Sequence, residues 1–183
     1  GDKFDIWLPA SCDRSRDQNS LILSRRGFLA AASVVEVTEA VLALAVARTP
    51  AAQHMYVPGD LAAFVAVSHA GQALLLGSFH GDTNGRATIP IVSALEEFAA
   101  TNYPEHVLVL GLDANTYKTH SSNYQGVAEF HDFLTGRGLA SCWGDRPDAL
   151  APTTFNARTF LQPQVCVWES VCVCVRACVR ACV

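Results

Sequence analysis

The sequence predicts an α/β fold built on a mixed β-sheet. Short apolar runs typical of strands alternate with stretches of helical periodicity, as in α/β domains. Two of the runs flank the turn-like His-Ala-Gly-Gln at 69–72, which predicts a β-hairpin and argues against a purely parallel sheet. A chain of 183 residues that is 50% hydrophobic and 16% charged suits a folded domain with a core, rather than a disordered chain.

The first half of the chain predicts strands at both ends and a helix between them. Residues 4–8 form a short apolar run, a polar loop follows, and residues 20–25 have strand character. Val37, Val41, Leu44 and Ala45 recur at helical spacing and predict a helix over residues 35–48, which ends before Pro50. Residues 61–80 contain the two runs of the hairpin.

The second half predicts two helices around one buried strand. After a loop at 81–88 rich in Gly, Asp and Asn, an amphipathic helix begins at Ile89 and ends near Tyr103. Residues 106–115 predict a buried strand with a polar tip. A short helix is predicted over residues 127–134, and Gly136 is the glycine that ends it.

Polar residues at the tips of two apolar strands are the candidates for chemistry. His80 ends one strand, and Asp113 and Asn115 end another. Strand ends of this kind often carry working groups, because the strand fixes their position and the loop leaves them accessible. Each tip alone also has a structural interpretation, since a lone His is commonly a hydrogen-bonded structural residue and Asp-Ala-Asn is a common Asx turn.

Taken in order, the tips Ser78-Phe79-His80 and Gly111-Leu112-Asp113-Ala114-Asn115 resemble the endonuclease/exonuclease/phosphatase superfamily, with its deoxyribonuclease I-like fold. In that family a strand ends in a catalytic His, and a later strand ends in Gly-Asp-x-Asn. Here one residue is inserted between Gly and Asp, while the Asp-x-Asn spacing is kept. The resemblance covers residues 20–164 and implies an α/β (α+β) sandwich of sheets, four-layered and flanked by helices.

The resemblance also implies a function, a metal-dependent phosphoester hydrolase of nuclease or phosphatase type. Asp113 would orient and help deprotonate the attacking water, Asn115 would hold that geometry, and His80 would donate to a phosphate oxygen or to the leaving group. Mg²⁺ or Mn²⁺ is the implied ion, with unknown ligands. Asn84 and Asn156 are candidates for substrate binding, although Thr-Asn-Gly around Asn84 is also an ordinary tight turn. Nucleic acid, nucleotide, inositol phosphate and lipid head group remain open as substrates.

Parts of the family pattern have no counterpart in the sequence. The family's early metal-binding Glu is not found upstream of residue 20, and no Asp or His follows Gln164 to supply the closing Asp-His pair. We therefore expect a partial domain over residues 1–164, truncated or misassigned at both ends, with an incomplete active site. A non-catalytic binding domain of the same fold is the alternative.

The tail at 165–183 predicts a low-complexity segment outside the fold. It can be encoded as a nearly pure GT/GC repeat, which favours a translated intron or microsatellite over a selected protein sequence. Its five cysteines, separated mostly by one or three residues with Val filling the gaps, do not match the spacing of thiolate zinc sites. If expressed, this segment is β-prone and favours aggregation or oxidation.

Charge and targeting patterns give weaker indications. The formal net charge of −4 gives no support to non-specific gripping of a nucleic-acid backbone. Cys12 and Cys142, the two cysteines outside the tail, suit a reducing compartment and favour an intracellular protein.

SRRGFLA at 24–30 has the form of a twin-arginine export signal, but Glu36 and Glu39 interrupt the apolar run, so the match is interpreted as fortuitous. No apolar stretch is long enough to span a bilayer, and the oligomeric state is not indicated.

Overall fold

The structure is a computed structural model, and it describes residues 3–13, 15–16, 18–117, 120–141 and 171–174. Within these residues the chain forms two β-sheets and three α-helices. The strands are β1 (Phe4–Trp7), β2 (Ile22–Arg25), β3 (Val35–Glu36), β4 (Leu61–Val67), β5 (Ala73–His80), β6 (Val107–Asp113), β7 (Ala140–Ser141) and β8 (Val171–Cys174). The helices are α1 (Thr38–Arg48), α2 (Thr88–Asn102) and α3 (Val127–Gly136), and short 3₁₀ turns occupy Ala31–Ser33 and Pro50–His54.

The larger sheet is mixed, as the sequence predicts. Over the described residues its strand order is β3-β4-β5-β6-β8-β7. β4 and β5 form the predicted antiparallel hairpin, whereas β5 and β6 are parallel and are joined through α2. Because parallel neighbouring strands end at the same edge of a sheet, the last residues of β5 and β6 lie side by side.

One face of this sheet carries the main hydrophobic core. α1 and α2 pack across it, and Val41, Ile91 and Leu95 are fully buried there against sheet residues such as Leu75 and Leu110. Gly77 in β5 permits close packing, because a Cβ at this position would lie 2.9 Å from a methyl group of Leu110. Burial of this many aliphatic side chains is the principal stabilising term for the fold.

The opposite face is covered by the small antiparallel sheet of β1 and β2, so the two sheets form a sandwich. Trp7 packs against a second buried cluster of Leu29, Ala66 and Leu74, and its indole N–H donates to Ser24 at 3.0 Å. The described residues confirm a sandwich of two sheets with helices outside the larger sheet, and among them no fourth layer covers β1 and β2.

The structure differs from the predictions at the start of α1. α1 begins at Thr38 rather than at residue 35, because Val35 and Glu36 pair with Val65 and Phe64 of β4. Four residues of the tail, Val171–Cys174, form β8 and pair antiparallel with β6, while the expectation that the tail as a whole lies outside the fold stays a prediction. Alternating Val and Cys favours an extended strand, and the free edge of β6 supplies unpaired backbone groups.

The segment SRRGFLA lies partly in a strand. Ser24 and Arg25 end β2, and Gly27 has a positive φ of 73° in the turn that follows. The interpretation of this motif as fortuitous stays a prediction. None of the helices in the described part of the chain is long and apolar enough to cross a lipid bilayer.

Candidate active site

The two predicted strand tips meet at one edge of the larger sheet. In the parallel ladder of β5 and β6, His80 is the direct register partner of Asp113. The imidazole Nε2 lies 3.5 Å from a carboxylate oxygen of Asp113, and the two side chains are 33% and 24% exposed. Both groups are therefore held by strands and remain open to solvent on one side.

The surroundings of His80 favour its protonated form. The Asp113 carboxylate, which accepts from the imidazolium, raises the pKa of His80 above its ordinary value, although partial burial opposes this effect. The charges of Asp113 and Asp60 raise the pKa further, and the charge of Arg16 lowers it. His80 is consequently protonated over a wider pH range than an ordinary imidazole, which suits it to give up a proton or to donate a hydrogen bond to an anion.

Asn115 is fixed in an uncommon backbone conformation directly after the carboxylate. Its φ is +45°, which Asn tolerates better than most residues. The Asn115 N–H donates to the second oxygen of Asp113 at 2.9 Å, forming an Asx turn that orients the carboxylate. The carbonyl of Ala114 accepts from the buried side chains of Thr88 and Gln125, each at 3.2 Å. The strand tip is therefore rigidly held.

The loop between β5 and α2 packs against this tip. It forms the predicted tight turn, in which the Gly85 N–H donates to the Asp82 carbonyl at 2.9 Å. The Asp82 carboxylate also accepts from the N–H of Ala87 at 2.8 Å, just before α2 begins. Gly85 has φ +70°, and a Cβ there would lie 2.6 and 2.7 Å from the carbonyl oxygens of Asn115 and Ala114. The loop and the tip thus share a contact that only glycine permits.

The candidate substrate-binding residues fall in different parts of the chain. Asn84 lies in the tight turn with an exposed side chain, and its carbonyl accepts from Gln125 N–H at 2.9 Å. Its role in substrate binding stays a prediction. Asn156 lies outside the residues that the structure describes.

Sequence reasoning missed an ion pair beside the site. Asp60, at the start of β4, is 6% exposed, and its carbonyl accepts the His80 N–H at 2.9 Å. An Arg16 amino group donates to the Asp60 carboxylate at 2.8 Å. Pro58-Gly59 indicates a turn before Asp60, but no pattern in the sequence indicates that Asp60 contacts Arg16.

The donor chemistry at this edge suits a weakly coordinated divalent cation. Mg²⁺ binds through one or two carboxylates, with water and substrate oxygens completing its shell. Asp113 and Asn115 could supply oxygen ligands here, although no cluster of three or more His, Cys, Asp or Glu side chains suited to a metal occurs in the described stretches. A complete metal cage is therefore not formed by these residues alone.

No protein-family model and no curated protein matches the sequence. Several solved structures do match the fold. An endonuclease/exonuclease/phosphatase family protein from Bacteroides thetaiotaomicron is 15% identical with a TM-score of 0.52, over 94% of this chain and 60% of that chain. The chain has the fold of the endonuclease/exonuclease/phosphatase family.

Two further structures agree. The endonuclease domain of TRAS1, a telomere-specific non-LTR retrotransposon, is 13% identical with a TM-score of 0.50, over 95% of this chain and 68% of that chain. TDP2 of D. rerio, complexed with a single-stranded DNA product, is 9% identical with a TM-score of 0.55, over 94% and 62%. The fold predicted from the two strand tips is thereby confirmed, and the chain spans about two thirds or less of the length of these neighbours.

Proposed function

We propose that this chain carries part of the active site of a divalent-metal-dependent phosphoester hydrolase. The observation that supports this most is the pairing of His80 with Asp113 at adjoining strand ends, 3.5 Å apart and partly exposed. A protonated imidazole beside an oriented carboxylate provides both the donor and the acceptor that phosphoester hydrolysis needs.

Each residue has a distinct role in the proposed reaction. Asp113 orients a water molecule and accepts one of its protons while the water oxygen bonds to phosphorus. The phosphorus–oxygen ester bond breaks, and the leaving oxygen takes a proton from His80. Asn115 holds the Asp113 carboxylate through its backbone N–H, and its side-chain Nδ2, which donates to the Gly81 carbonyl at 3.5 Å, keeps a second N–H for a phosphate oxygen.

A divalent cation, Mg²⁺ or Mn²⁺, is part of the proposal. When bound, it would neutralise charge on the phosphate oxygens and polarise the phosphorus centre. Asp113 and Asn115 are the described side chains that could hold it. Sensitivity of turnover to a chelator, reversed by added Mg²⁺, tests this point.

The substrate is proposed at the level of a phosphodiester or phosphomonoester. Two of the structural neighbours are an endonuclease domain and a protein complexed with a single-stranded DNA product, which makes nucleic acid a reasonable first substrate to test. A net charge of −4 instead favours a small or single-stranded substrate over bulk duplex DNA. Nucleotide, inositol phosphate and lipid head group complete the panel.

Turnover is expected to be slow in this chain. No Asp or His occurs between Gln164 and Val183, so these residues do not supply the closing Asp-His pair that the family pattern implies. Because catalytic groups act as a unit, the loss of some of them removes much of the rate.

The test compares hydrolysis of a nitrophenyl phosphodiester and of the matching monoester with Mg²⁺, Mn²⁺ or chelator. His80→Ala and Asp113→Ala should each reduce turnover by about a hundredfold or more. His54→Ala and Asp132→Ala are matched controls at exposed positions away from this edge, and they should retain the wild-type rate. Equal rates for all five proteins would reject the hydrolase and favour the non-catalytic binding domain.

A further inference from the structure

We propose that Arg16 is a phosphate-binding residue of this site, placing a guanidinium against the non-bridging oxygens of the substrate. The inference deepens the proposed function and rests on it for the identity of the substrate.

Two hydrogen-bonded steps connect the Arg16 guanidinium to the backbone of His80. Nη2 donates to the Asp60 carboxylate at 2.8 Å, and Nη1 donates to the Pro58 carbonyl at 2.5 Å. The carbonyl of Asp60 accepts the His80 N–H at 2.9 Å. The arginine is therefore fixed at the same strand end that presents the imidazole.

Asp60 acts as the anchor of this arrangement. Its side chain is 7% exposed, and its second carboxylate oxygen accepts the Val57 N–H at 2.8 Å. The Ser20 hydroxyl donates to the Asp60 carbonyl at 2.6 Å. A buried carboxylate needs a cationic partner, and this requirement holds Arg16 in one place.

The loop that carries Arg16 is also held in position. Asn19 accepts from the Asp13 N–H at 3.1 Å and donates to the Asp13 carbonyl at 2.8 Å. Gly59 packs directly against it, because a Cβ at Gly59 would lie 2.1 Å from the Asn19 side-chain oxygen. A guanidinium held in this way binds an anion with little loss of conformational entropy.

Arg16 keeps donors for a ligand after anchoring. A guanidinium has five N–H donors, and the contacts within the described part of the chain use two, which leaves three. The Arg16 side chain is 26% exposed, so it is neither sealed in the core nor free in solvent. The planar fork of an arginine matches phosphate oxygens better than an ammonium does.

Arg16 balances negative charge at this edge of the sheet. The carboxylates of Asp113 and Asp60 both act on His80, and a phosphate anion entering the site would meet their repulsion. Of the charged groups that influence the imidazole within the described residues, Arg16 is the cation. Its charge offsets the repulsion at the point where a phosphate would contact His80.

The test measures inorganic phosphate binding by isothermal titration, independently of any turnover. Arg16→Met keeps most of the apolar stem but removes the charge, and it should weaken phosphate binding at least about tenfold. Arg48→Met is the matched control, because Arg48 is an exposed arginine paired with Glu97 on the helical side, and it should leave binding unchanged. Binding of Arg16→Met within about twofold of wild type would overturn the proposal.

A second variant protects the test against misfolding. Arg16→Lys keeps a cation for Asp60 and loses the planar fork, so it should fold normally and bind phosphate several-fold more weakly, by about threefold or more. Wild-type affinity in Arg16→Lys, combined with loss of folding in Arg16→Met, would overturn the proposal, as would absence of phosphate binding to the wild-type chain. A chain that binds phosphate through Arg16 but hydrolyses no ester would refute the proposed function and leave this inference standing.

Discussion

Replacing Gly85 with alanine tests how the loop before α2 is joined to the strand tip that carries Asp113. Gly85 has φ +70°, where an L-residue costs about 1–2 kcal/mol. The added methyl group would also lie 2.6 and 2.7 Å from two carbonyl oxygens, well inside normal contact. These are backbone atoms of a tightly bonded turn, so overpacking should add about 1–3 kcal/mol. The expected total loss of unfolding free energy is about 2–5 kcal/mol.

Gly71→Ala is the matched control for this substitution. Gly71 also has a positive φ, 81°, but nothing lies within 4 Å of the position a Cβ would take. It should lose about 1–2 kcal/mol from backbone strain alone. Urea unfolding followed by circular dichroism gives both values, with equal m-values expected. If the two variants lose the same free energy within about 0.5 kcal/mol, the contact between the loop and the tip is not as described.

Three further predictions concern the site and the core. The pKa of His80 is raised above its ordinary 6.5, so its contact with Asp113 should stabilise the fold fully below about pH 6.5 and lose that effect as pH rises through the raised pKa. An NMR titration should show that the pKa of His80 falls in Asp113→Asn. An unchanged pKa of His80 would contradict this prediction. Leu95→Ala should cost about 2–5 kcal/mol in urea unfolding, since Leu95 is fully buried between α2 and the sheet, and a loss below about 1 kcal/mol would contradict that packing. Asp82→Ala should cost about 1–2 kcal/mol in urea unfolding by removing the acceptor for the Ala87 N–H, while Asp132→Ala should cost almost nothing in the same assay.

Local patterns in the sequence were sufficient for most of the elements. The apolar runs at 61–80 predicted the hairpin, because each is long enough for a strand and the segment between them favours a turn. The start of α1 could not be predicted in this way. Val35 and Glu36 continue the helical pattern, but they pair with β4, and a pairing with residues so distant in sequence overrides local preference.

The site was predictable where it depended on strand ends and unpredictable where it depended on distant loops. His80 and Asp113 each end an apolar run, and parallel pairing of those runs brings them together. Arg16 and Asp60 are 44 residues apart, and they meet only because the loop before β2 folds over the start of β4. No periodicity or motif reports such a contact.

The joint action of His80 and Asp113 is tested most directly by a double-mutant cycle on phosphodiester hydrolysis with Mg²⁺ at neutral pH. Wild type, His80→Gln, Asp113→Asn and the double variant are compared by kcat/KM. If the two residues act as one unit, each single variant should lose about a hundredfold or more, and the double variant should be no slower than the slower single variant. Wild-type rates in both single variants would contradict the claim that this pair performs the chemistry.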